Sequence, residues 1–144
     1  MNYSSRITHY ALISALAFPL AAFLWFCILL ASCAESLEDR ACREAKEFTK
    51  KNCPVPITRE LALDSITFNK NTLTLTSYYS ISPKAEIEEI DVDRTSNALL
   101  TELKNNTGQI LYKKAGYNFR YIYYKCGKEN KHLLDVTFKQ KDYR

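Results

Sequence analysis

The chain has 144 residues and a net charge of +4, with 20 Lys and Arg set against 16 Asp and Glu, a balance too even to argue for a nucleic-acid partner. Two histidines and three glycines exclude a multi-histidine metal centre and a glycine-rich phosphate cradle, and no cofactor is expected. All 16 acidic residues follow Cys33, so the chain divides into an apolar leader and a charged body.

Residues 11–33 read ALISALAFPLAAFLWFCILLASC, without charge and preceded by a polar stretch carrying Arg6. A positive end, an apolar centre, small residues and a break into charge is the order of a secretory signal. Leu30-Ala31-Ser32-Cys33 resembles the lipobox of bacterial lipoproteins. That resemblance implies removal of residues 1–32 and acylation of Cys33, which tethers residues 33–144 to a membrane as one small domain. No Asp follows Cys33, which by analogy with enterobacterial lipoproteins favours the outer membrane over the inner. The alternative is an uncleaved inner-membrane helix, since at 1.5 Å per residue positions 11–32 span roughly 33 Å. Pro19 interrupts it, however, and no basic stop follows.

After Cys33, Leu37, Ala41, Ala45 and Phe48 recur at helical spacing and predict an amphipathic helix over 35–51, ended by Pro54 and Pro56. Alternation predicts two strands next. Ile66 and Phe68 face one way in the first, and Leu73, Leu75, Tyr79 and Ile81 share a face in the second, with the turn at Asn69-Lys70-Asn71. The segment 83–93 follows no single period, and its acidic cluster from Glu86 to Asp93 lacks the glycine and ligand spacing of a calcium loop. Ala98, Leu99 and Leu103 predict a helix over 94–104, broken at Asn105-Asn106-Thr107-Gly108, with a short turn around Ile110 and Leu111. Tyr117, Phe119, Tyr121 and Tyr123 then alternate with Asn118, Arg120, Ile122 and Tyr124, and Leu134, Val136 and Phe138 supply the returning strand.

The expected fold class is therefore α+β: an antiparallel four-stranded sheet of two hairpins with helices packed on one face. Its core should contain Phe48, Phe68, Leu75, Leu103, Phe119, Tyr121 and Val136. Charge is uneven, with 9 basic and 13 acidic residues over 34–103 but 10 basic and 3 acidic over 104–144. A lysine-rich sheet edge accounts for this better than a basic docking face. Of the cysteines left by processing, Cys53 and Cys126 are the favoured disulfide pair, and three reduced thiols are the equal alternative.

Catalytic inventory is thin. His132 is the sole histidine after Cys33, no Cys-x-x-Cys occurs, and no carboxylate pattern suggests acid–base work, so no catalytic residue is assigned. The arrangement resembles the small envelope lipoproteins of Gram-negative bacteria, which implies a non-enzymatic interaction module. Its expected partners are the membrane, through acylated Cys33, and an envelope or secreted protein. An immunity or inhibitor lipoprotein belongs to the same class, and an enzyme of another type is the less favoured alternative. Tyr78, Arg120 and Tyr124 point away from the expected core, where burial gives no reason for their size, and are the candidate interface.

Overall fold

The computed structural model describes residues 35–87, 89–127 and 130–144, so the leader and Cys33 lie outside the described residues. Helix α1, Leu37–Asn52, begins where the Ser36 hydroxyl accepts the Asp39 N–H at 3.0 Å. Glu38 and Asp39 occupy its first turn and Lys50 and Lys51 its last, matching the helix dipole at both ends. Ala41 and Ala45 are buried, while Arg40–Glu44 and Lys51–Glu47 pair along the outer face at 2.6 and 3.1 Å.

Five strands follow, in the order β1-β2-β3-β4-β5 across one sheet. They are β1 Val55–Pro56, β2 Leu61–Asn69, β3 Thr74–Ile81, β4 Asn118–Lys125 and β5 Lys131–Phe138. The connection from β3 to β4 carries α2 Val92–Asn105, a 3-10 turn Thr107–Gln109 and α3 Ile110–Lys114, and α4 Gln140–Tyr143 ends the chain. Asp91 caps α2 by accepting the Arg94 N–H at 2.9 Å. Lys113 Nζ donates to the carbonyls of Leu103 and Lys104 at 2.8 and 2.9 Å, adding a side-chain cap to the end of α2. Among the described residues no helix is long and apolar enough to cross a membrane.

The class is α+β, but the all-antiparallel arrangement needs correction. β2·β3 and β4·β5 are antiparallel as expected, whereas β3 and β4 run parallel, from Thr74↔Asn118 to Ile81↔Lys125. A connection long enough to carry two helices crosses over the sheet and returns the chain in its original direction, which a tight turn cannot do. The fifth strand, β1, pairs with β2 through Val55↔Leu63 and Pro56↔Ala62. Beyond it, the Thr49 hydroxyl donates to the Ile66 carbonyl and accepts the Ile66 N–H, at 2.9 and 2.8 Å. The end of α1 thus covers an edge that two residues of strand leave bare.

Buried residues from each of the four helices join one face of the sheet in a single cluster. Ala41, Leu103, Tyr112 and Tyr143 meet Ile81, Phe119, Tyr123 and Leu134 there. Tyr79 stacks on Tyr123 with centroids 4.6 Å apart, and Tyr117, at 1% exposure, lies between Phe68 and Tyr112. Phe119 and Leu103 are buried as expected, and Phe68, Leu75, Tyr121 and Val136 pack half-buried against the cluster. Phe48 does not join them. It is 37% exposed, because α1 approaches the sheet through alanines and leaves the larger ring on the rim.

Candidate functional site

Two bulges decide what the opposite face of the sheet displays. Leu63 pairs with Tyr79 and Ser65 with Tyr78, which leaves Asp64 as an extra residue on β2. Asp64 therefore leaves the core alternation and accepts hydrogen bonds from Ser80 Oγ at 2.7 Å and from the Tyr124 hydroxyl. On β5 the shift between Tyr123↔Leu134 and Tyr124↔His132 sets aside Leu133. Asp64 forms a bridge from β2 across β3 to β4 that holds this face together.

The register places Thr67, Thr76, Arg120 and Thr137 in one rung across four strands. Together with Asn69, Thr72, Thr74, Tyr78 and Asp135 they line a shallow, open trough of about 620 Å³. Every lining side chain is polar or aromatic, and no aliphatic residue contributes. The helices turn their buried residues to the other face, so among the described residues this side of the sheet has no helical cover.

The structure gathers Tyr78, Arg120 and Tyr124 on this face but changes the reason for their size. Ile122, on the same face, is 4% exposed. It pairs with Tyr78 on one side and Asp135 on the other, and Arg120 and Tyr124 are its neighbours along β4. The three large residues roof a single buried isoleucine. Arg120 is also bound to Asp135 through Nε at 2.8 Å and Nη2 at 2.5 Å, which holds the Asp135 carboxyl below the usual carboxylate range. Burial first, and then the bond to Asp64, push the Tyr124 hydroxyl up to about 12. Tyr124 is thus occupied within the sheet, whereas Tyr78 and the Asp135-paired Arg120 line the trough.

The cysteines stay apart. Cys42, Cys53 and Cys126 are free, half-buried thiols, the reduced arrangement that the sequence offers as the equal alternative to a Cys53–Cys126 bridge. Cys53 ends α1 ahead of β1, and Cys126 follows β4. Three strand intervals of about 4.8 Å put roughly 14 Å between those positions, against the ~7 Å limit for a disulfide. Burial first, then the nearby Asp64, raise the Cys53 thiol above its ordinary value. Among the described residues no group of three or more His, Cys, Asp or Glu is placed to hold a metal ion. The lipidation expected at Cys33 lies outside the described residues.

The family described as a domain of unknown function, DUF8479, matches residues 36–134, from the cap of α1 into β5. The chain belongs to that family. No curated protein matches its sequence. Solved structures with the same fold include a protein of Pseudomonas aeruginosa described as secreted, 20% identical with a TM-score of 0.58, covering 77% of this chain and 100% of that one. A pilotin of the Vibrio vulnificus type 2 secretion system is 12% identical with a TM-score of 0.60, covering 75% and 92%. The type II secretion pilotin of Vibrio cholerae is 12% identical with a TM-score of 0.55, covering 74% and 91%. At these identities the likeness is one of fold, and it places this DUF8479 chain among proteins of the α+β layer just described.

Proposed function

We propose that the chain is a non-enzymatic binding module of the bacterial cell envelope, exported by residues 1–32 and tethered through acylated Cys33, with the outer membrane favoured. It holds its envelope partner on the polar face of the sheet. The observation that carries this reading is the trough itself. A four-stranded face, braced by Asp64 and left uncovered by the helices among the described residues, is a rigid platform rather than a core surface. Support comes also from the fold, which is shared with two pilotins of type 2 secretion systems and with a protein described as secreted. The lipobox-like Leu30-Ala31-Ser32-Cys33 supplies the tether, since two or more acyl chains anchor a protein stably where one does not.

Intact mass of the protein extracted from membranes tests the tether. The expected species begins at acylated Cys33, and Cys33→Ala should accumulate a precursor larger by about 3 kDa, at ~110 Da per residue lost. A full-length, unacylated species in the membrane would replace the tether with the uncleaved helix. For the face, Tyr78→Ala should weaken partner binding roughly 30-fold, the loss typical of a central aromatic anchor, while Lys46→Glu on the outer side of α1 should leave it unchanged.

A further inference from the structure

The lining of the trough narrows the class of ligand. Protein interfaces are built around a desolvated apolar centre, and this surface offers no aliphatic side chain. An anionic ligand needs an uncompensated cation, but the guanidinium of Arg120 is neutralised by Asp135 at 2.5 Å. A cation needs grouped carboxylates, and Asp135 is the single one in the wall. What the trough presents is a net-neutral set of hydroxyls, an amide, one planar ion pair and one aromatic ring. Threonine hydroxyls both donate and accept, and each Asp135 oxygen keeps a lone pair after Arg120 is satisfied. Tyrosine offers an apolar ring with a polar tip, against which the C–H face of a sugar packs while its hydroxyls reach the polar walls. The volume of about 620 Å³ lies within the range of ligand sites, and an open trough admits a segment of a chain where a closed pocket would not.

We propose that this trough binds a neutral polysaccharide, with Tyr78 as the stacking platform and with the rung of Thr67, Thr76, Arg120 and Thr137 as its hydrogen-bonding floor. The proposal rests on the reading of this face as the binding surface and names its ligand class.

Calorimetry on the detergent-solubilised full chain tests it, with the hexamer of β-1,4-linked N-acetylglucosamine and cellohexaose as neutral probes and polygalacturonate as the anionic one. The expected result is saturable binding of a neutral oligosaccharide, unchanged between about 50 and 500 mM salt because no net charge is paired. Tyr78→Ala should lower that affinity by the same roughly 30-fold, and Tyr78→Phe by much less, since the ring remains. The double change Thr67→Val and Thr137→Val, at two exposed positions, should weaken binding several-fold with the circular dichroism spectrum unaltered. Absence of neutral-glycan binding, binding of polygalacturonate alone, or affinity indifferent to these substitutions would overturn the proposal. If a protein partner still depends on Tyr78 when the sugars fail, the face stands and its glycan ligand falls. If neither depends on Tyr78, the face falls as well.

Discussion

Tyr124 donates its hydroxyl to Asp64, sixty residues earlier in the chain, and Asp64 accepts Ser80 as well. Hydrogen bonds to a charged, partly buried acceptor are among the stronger ones, so Tyr124→Phe should cost about 1.5–3 kcal/mol in chemical denaturation. The same substitution should leave partner binding nearly intact, because the ring over Ile122 remains. On the helical side, Glu44 accepts the Tyr112 hydroxyl at 2.7 Å and the Arg40 guanidinium at 2.6 Å. These bonds, the Tyr112 one first, hold its carboxyl below the ordinary range. Its stabilising contribution is present above the unfolded value of about 4.3 and is lost as pH falls through the lower folded value. Glu44→Gln should therefore flatten the acid limb of a stability–pH profile. Tyr112, raised to about 12 chiefly by burial, has the opposite sign: its contribution is complete below about 10 and disappears as pH rises towards 12. Thermal melts across both limbs check the pair. The alternation of β4 already showed in the sequence which of its residues face out. The Asp64 bridge did not show, because a bulge is a pairing property and no local pattern marks it.

Among the elements, those with a long apolar period were legible: α1, α2, and the strands of both hairpins. What escaped was decided by tertiary pairing. β1 is too short to have a period, and α4 has four residues. The parallel β3·β4 match depends on the path of the crossover rather than on either strand. Helix α4 makes its place in the core through Tyr143, whose hydroxyl donates to the Tyr117 carbonyl at 2.5 Å and whose ring meets Phe119 edge-on at 5.5 Å. Gly116, at φ +80°, turns the chain beneath it, and an added Cβ would lie 3.1 Å from the Gln140 amide nitrogen. Gly116→Ala should cost roughly 1–2 kcal/mol from the left-handed backbone alone, read as a lowered denaturation midpoint. Phe119→Ala, at 1% exposure between sheet and helices, should cost about 3–5 kcal/mol. An unchanged midpoint for Phe119→Ala would contradict the register of β4.

Over the whole molecule, helices on one side and a braced polar face on the other give the domain two unlike surfaces. The basic excess of residues 104–144 lies mostly outside β5, whose Lys131 and Asp135 balance, but this edge strand exposes Lys131, His132, Asp135 and Thr137. Polar and charged side chains there discourage pairing with another chain, in keeping with an edge guard. Function therefore turns on which side meets the partner. Photo-crosslinking in intact cells decides this, with a photoreactive residue placed at Thr67 or Thr137 on the polar face, or at Lys46 or Lys50 on the outer face of α1. The account predicts adducts from the two threonine positions and none from the helix positions. Adducts confined to α1 would contradict it and move the binding surface to the helical side.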